Sequence, residues 1–161
     1  MNRILLRVSR RGAVALAATS LLLAVGAVPA SAATDLCVST NGTVRVQMGT
    51  APCSSVAGPG NVAIARGANS HATAGYSAGD RNNRATASGD NSEAFAGIGN
   101  GYTATATGDG SGANSGVGDG NTTTASVTDS GATAQGTNQT AIASSPGCTA
   151  EATGGRATDR C

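Results

Sequence analysis

Thr103-Ala104-Thr105-Ala106-Thr107-Gly108-Asp109-Gly110-Ser111-Gly112-Ala113 alternates alanine with threonine, turns through glycine and aspartate, and begins the alternation again. The phrase Ala-x-Ala recurs through the middle of the chain, with copies starting at Ala63, Ala72, Ala85, Ala94, Ala104, Ala113, Thr123, Ala132 and Ala141. These nine copies are spaced by about nine or ten residues; Asn114-Ser115 and Thr123 soften two of them, and the long interval from Ala72 to Ala85 carries an insertion. Side chains alternate between the two faces of a strand, so an every-second-residue pattern reads as β. A unit this short buries nothing until its neighbours stack on it. The fold class that follows is all-β, a short β-solenoid or β-roll, and it points to a scaffold or surface protein rather than an enzyme.

If the alanines point inward, the residues between them point out. Odd copies then present Val62/Ile64/Arg66, Arg84/Thr86/Ser88, Thr103/Thr105/Thr107, Thr122/Thr124/Ser126 and Thr140/Ile142/Ser144. Even copies present His71/Thr73/Gly75, Glu93/Phe95/Gly97, Gly112/Asn114/Gly116 and Gly131/Thr133/Gln135. One set is β-branched and threonine-rich, the other glycine-rich. That parity predicts two units per coil, roughly 18 to 20 residues per turn, and a body of roughly four and a half coils, about 20 Å long at a strand spacing of about 4.8 Å.

Residues 1–32 read as a secretory signal peptide: Arg3, Arg7, Arg10 and Arg11 precede the apolar run Gly12 to Val28, and Ala30-Ser31-Ala32 supplies a small-x-small cleavage site. The apolar run is short for a membrane span. Secretion to the cell exterior or surface is therefore expected, with no membrane span in the mature chain. Beyond this segment six arginines face nine acidic residues, a net charge of about −3, and there is no lysine. Such a balance weighs against nucleic acid as a partner, which calls for a cationic patch.

Three segments follow the leader. Residues 33–57 form a hairpin module, with Leu36-Cys37-Val38 and Val44-Arg45-Val46 as strands around Asn41-Gly42, a strong two-residue turn signal. Residues 58–145 hold the repeat, and residues 146–161 form a tail or cap. All four cysteines lie outside the repeat, two on each side. An even count after a signal peptide reads as disulfides. Of three pairings the local one, Cys37–Cys53 with Cys148–Cys161, leaves the repeat free of cross-links; a zinc site is the alternative, but neither pair has close ligand spacing.

Two resemblances can be placed on this reading. The pattern Cys37, Asn41-Gly42, Thr43-Val44-Arg45-Val46, Cys53 resembles a short N-terminal module of secreted bacterial proteins and some fibre-like proteins. Gly60-Asn61-Val62-Ala63-Ile64-Ala65, Gly89-Asp90-Asn91-Ser92-Glu93-Ala94-Phe95-Ala96-Gly97 and Thr140-Ala141-Ile142-Ala143 resemble the head repeats of trimeric autotransporter adhesins, over about half of the chain. The second resemblance implies a parallel β-roll, side-by-side association in threes, and adhesion to an extracellular macromolecule; the unit length differs from that family's.

Catalytic constellations are sparse. His71 is the single histidine and stands at an outward position, while Glu93 and Glu151 are the only glutamates and suggest no pair. No catalytic residue and no cofactor is assigned. Calcium is the sharper ligand hypothesis: Asp80, Asp90, Asp109 and Asp119 each follow a glycine that opens a unit, with Asn100 in register. Gly-Asp is also ordinary turn chemistry, the full calcium nonapeptide is missing, and two units per coil would divide these acids between opposite edges. A threonine array suited to ice or another flat surface is the further alternative. The expected function is a secreted, non-enzymatic structural or adhesive protein.

Overall fold

A computed structural model of the protein describes residues 35–154 and 158–161. The expected signal segment, residues 1–32, lies outside them. The described chain is all-β, a β-solenoid of about five turns. Its strands are β1 (Leu36–Thr40), β2 (Thr43–Met48), β3 (Cys53–Ser55), β4 (Val62–Arg66), β5 (His71–Ala74), β6 (Arg84–Ser88) and β7 (Glu93–Asn100). They continue as β8 (Thr103–Thr107), β9 (Gly112–Asp119), β10 (Thr122–Ala125), β11 (Gly131–Gln135), β12 (Thr140–Ala143), β13 (Thr149–Thr153) and β14 (Thr158–Arg160).

The two-unit coil is present. Odd copies of the repeat lie in an eight-stranded sheet ordered β14-β12-β10-β8-β6-β4-β1-β2, and even copies in a six-stranded sheet ordered β13-β11-β9-β7-β5-β3. Stacking is parallel and in register: Ala104 sits beside Ala85 in one direction and Thr123 in the other. At the N-terminal end the Asn41-Gly42 hairpin joins the larger sheet, with β1 antiparallel to β4. Beyond the nine copies, β13 adds a further Ala-x-Ala strand, its Ala150 and Ala152 stacked on Ala132 and Ala134.

Between the sheets the core is built of methyl groups. Ala63, Ala65, Ala85, Ala87, Ala104 and Ala106 from one sheet, with Ala72, Ala74, Ala94 and Ala96 from the other, are buried to within 1 %. Where the phrase departs from alanine, the replacements compensate each other. Ser115 and Thr123 both point inward, and their hydroxyls meet at 3.0 Å across the core. Ser39 and Ser55 do the same at 2.8 Å in the first coil.

Each corner of the coil carries a buried polar column. Asn61, Asn83, Asn121 and Gln139 line one edge; Ser70, Ser92, Ser111 and Ser130 line the other. The asparagines pass hydrogen bonds from coil to coil: Asn83 N donates to Asn61 Oδ1 (3.0 Å), Tyr102 N to Asn83 Oδ1 (3.0 Å), and Gln139 N to Asn121 Oδ1 (2.9 Å). The amide nitrogens of Asn61 and Asn83 reach loop carbonyls, Asp80 O (2.7 Å) and Gly99 O (2.8 Å), whereas Asn121 Nδ2 is buried without a hydrogen-bond partner. Buried backbone groups at a corner have no ladder partner, and these side chains supply one. The residue before each column position is left-handed, with glycine at Gly101 (φ 73°) and Gly110 (φ 68°), and asparagine or aspartate at Asn82 (φ 58°), Asp129 (φ 55°) and Asn138 (φ 57°). Only those residue types adopt that conformation at little cost.

Tyr102 takes the place of an asparagine in its column and is fully buried. Its hydroxyl lies 2.7 Å from Ile98 O and against Gly118 O. Burial, with Asp119 and Asp80 nearby, pushes its phenol up to about 12. The folded state therefore holds this proton more tightly than the unfolded chain, whose phenol has the ordinary value of 10.0. Stability from this group is complete below pH 10 and is lost as pH rises towards 12, by about 3 kcal/mol at most. Urea unfolding at pH 9 and 12 should show a larger loss for the wild type than for Tyr102→Phe; equal losses would contradict the assignment.

Both disulfides join the two sheets, one at each end of the stack. Cys37 in β1 and Cys53 in β3 have Cα atoms 5.6 Å apart, and Cys37 occupies an inward position beside Ala65. Cys148, in register with the serine column, bonds Cys161 with Cα atoms 6.0 Å apart. The local pairing is the one formed, and the alanine coils between carry no cross-link.

Candidate functional site

Among the described residues the larger of the two sheets, with eight strands, presents a regular outer face. Its central row runs Val46, Val38, Ile64, Thr86, Thr105, Thr124 and Ile142, one residue from each strand from β2 to β12. Every residue in it is β-branched, the type that packs best on a pleated surface. On one side lies the row Thr40, Val62, Arg84, Thr103, Thr122 and Thr140; on the other, Met48, Leu36, Arg66, Ser88 and Thr107.

Parallel in-register stacking thus sorts the face into blocks. The end near the hairpin is apolar, with Leu36, Val38, Val62 and Ile64 half-buried and Val46 (38 %) and Met48 (51 %) exposed. The middle is hydroxyl and methyl, formed by Thr86, Thr103, Thr105, Thr107, Thr122 and Thr124. Ile142 returns at the far end. Among the described side chains this face carries Arg66, Arg84, Arg160 and Arg45, whose Nε donates to Thr40 Oγ1 (3.0 Å), and no carboxylate.

The four aspartates weighed for calcium divide between opposite edges, and their oxygens accept from backbone amides. Asp90 Oδ1 accepts from Ala68 N (2.8 Å) and Asp109 Oδ1 from Asp90 N (2.9 Å) on one edge. On the other edge Asp119 Oδ1 accepts from Asn100 N (2.8 Å). Asp80 is buried; its Oδ2 accepts from Tyr76 N (2.8 Å) and Ser77 N (2.7 Å), and its Oδ1 from Gly99 N (3.1 Å). It thereby pins the insertion between Ala72 and Ala85. Each carboxylate bridges one coil to the next in the way a turn residue does. Among the described residues no three His, Cys, Asp or Glu side chains are grouped to hold a metal.

His71 and Glu93 share the outer face of the six-stranded sheet, their nearest N and O atoms 4.0 Å apart and both well exposed. Glu151 lies further along the same face, in register with Thr133. The features that sequence reading missed are the corner columns and the seat of Tyr102. Their signal was a Gly, Asn or Asp just before each column position, a regularity that resembles ordinary turn composition. No helix among the described residues is long and apolar enough to cross a membrane. No protein-family model, no curated protein and no solved structure matches the chain.

Proposed function

We propose that this chain is a secreted, non-enzymatic structural or adhesive protein that works at the cell surface, and that the outer face of its eight-stranded sheet is the working surface. The observation that carries the reading is the unbroken β-branched row from Val46 to Ile142. An ordered face of this kind, with no carboxylate among its described side chains, suits contact with another extended surface. Its apolar end suits a second copy of the chain, because covering it recovers roughly 25 cal/mol per Å² of apolar area. The alanine core behind it is thin, and small bodies with little core gain most from association. The resemblance to adhesin head repeats favours the same arrangement and a trimer.

Sedimentation equilibrium of residues 33–161 tests this. An oligomer at micromolar concentration that Ile64→Glu converts to monomer is the expected result, since Ile64 lies in the central row and points away from the core. A wild-type monomer throughout that range would contradict self-association.

The block of Thr103, Thr105, Thr107, Thr122 and Thr124 favours a second reading, binding to the ordered water of an ice surface. Its hydroxyls repeat at about 4.8 Å between strands and about 7 Å along them. Thermal hysteresis that disappears in Thr105→Lys would select this reading; its absence in the wild type would remove it.

A further inference from the structure

The outer face of the six-stranded sheet contains a shallow trough of about 250 Å³, and two glycines form its floor. Gly112 and Gly131 are paired neighbours on β9 and β11. Neither has a left-handed backbone. A Cβ at Gly112 would meet no atom within 4 Å, and one at Gly131 would meet only the Thr149 side chain, at 3.8 Å. Gly97, on the same face, is different: a Cβ there would run into the Gly116 carbonyl oxygen. So Gly97 is glycine because the fold crowds it, whereas Gly112 and Gly131 are glycine where a Cβ has room. The equivalent positions of the larger sheet carry Thr103, Thr122 and Thr140. Glycine weakens a strand, and within one it often marks close approach of another molecule. What these two positions preserve is open space.

The walls define what the space can take. Phe95, the chain's only phenylalanine, stands half-buried at one side of the trough. Around the rim are the Glu93 carboxylate, the Asn114 amide and the hydroxyls of Thr133 and Thr149. Glu93 is the one carboxylate among the lining residues, with Glu151 next to Thr133 beyond the rim and His71 beside Glu93. This acidic margin disfavours an anionic ligand, and no three His, Cys, Asp or Glu side chains among the described residues are grouped to hold a divalent cation. A small apolar wall with several neutral donors and acceptors suits a neutral, polyhydroxylated ring. The volume admits one such ring.

We infer that this trough is a carbohydrate subsite, holding one pyranose unit with its C–H face on Phe95 and its hydroxyls on Glu93 and Asn114. An ionised carboxylate accepting from a sugar hydroxyl is the stronger kind of hydrogen bond. The site is on the opposite sheet from the face proposed for self-association and does not depend on it.

The test is a two-dimensional ¹H–¹⁵N titration of residues 33–161. The probes are methyl glycosides of glucose, mannose, galactose and N-acetylglucosamine, with the corresponding tetrasaccharides. At least one probe should shift the amides of Gly112, Asn114 and Gly131 in a saturable way. Gly112→Thr should abolish those shifts while leaving the melting temperature unchanged or higher, because the threonine fills the trough without straining the backbone. Glu93→Gln and Phe95→Ala, both on the outer face, should each weaken binding by about tenfold or more. Three results would each overturn the inference: no shift with any probe, shifts confined to the threonine face, or undiminished binding by Gly112→Thr.

Discussion

Leucine in place of Ala104 should destabilise the fold by about 3 kcal/mol or more, whereas leucine in place of its neighbour Thr105 should change stability by less than about 1 kcal/mol. Ala104 is fully buried and faces the other sheet, stacked between Ala85 and Thr123. Three extra carbons there have nowhere to go, because the adjoining inward positions are filled by methyl groups at nearly zero exposure. Strand pairing ties each coil to the next, so local separation of the sheets would propagate along the stack. Thr105 lies one residue away with its side chain on the outer face. Urea unfolding followed by far-ultraviolet circular dichroism reads both variants. Equal effects at the two positions would mean that the alternation has no inside and outside.

Removing the Cys37–Cys53 bond by the double change to alanine should lower stability by about 3 kcal/mol, and removing Cys148–Cys161 by a similar amount. The bonds close loops of sequence separation 16 and 13, and each ties one sheet to the other at an end of the stack. An end coil has a neighbour on one side alone, so it is where a solenoid opens first. Cys37→Ala/Cys53→Ala should therefore raise amide exchange in β1, β3 and β4 before it does so in β8 and β9. Exchange that rose uniformly along the chain would show that the bond does not act as an end clamp.

The alternation Ala104-Thr105-Ala106 and the difference between odd and even copies made the two sheets legible before any coordinates. Both follow from the strand's period of two and from in-register stacking, which brings like positions together. The inward seats of Ser115 and Thr123 were legible in phase, because they fall where alanine falls elsewhere. That they meet each other was not, since they lie on different sheets and a sequence does not show what faces what across a core. The corner columns were hidden for another reason. Asn83 and Ser92 look like turn residues on a strand boundary, and burial distinguishes them from the exposed Asn82 and Asn91 beside them. Tyr102 gives no sign in the sequence of its seat, because an aromatic residue does not resemble the asparagine whose place it takes. The trough was half legible: Gly112 and Gly131 stood out as a glycine-rich even face, but only the empty space above them separates them from Gly97.

The ordered two-sheet solenoid is tested most directly by inter-coil proton contacts in residues 33–161 without added calcium. Isotope-edited NOE spectra should connect the backbone of Ala104 to that of Ala85 on one side and Thr123 on the other, and Ala113 likewise to Ala94 and Ala132, as parallel in-register pairing requires. A poorly dispersed spectrum with no contacts between residues a full coil apart would contradict the fold and everything built on its faces.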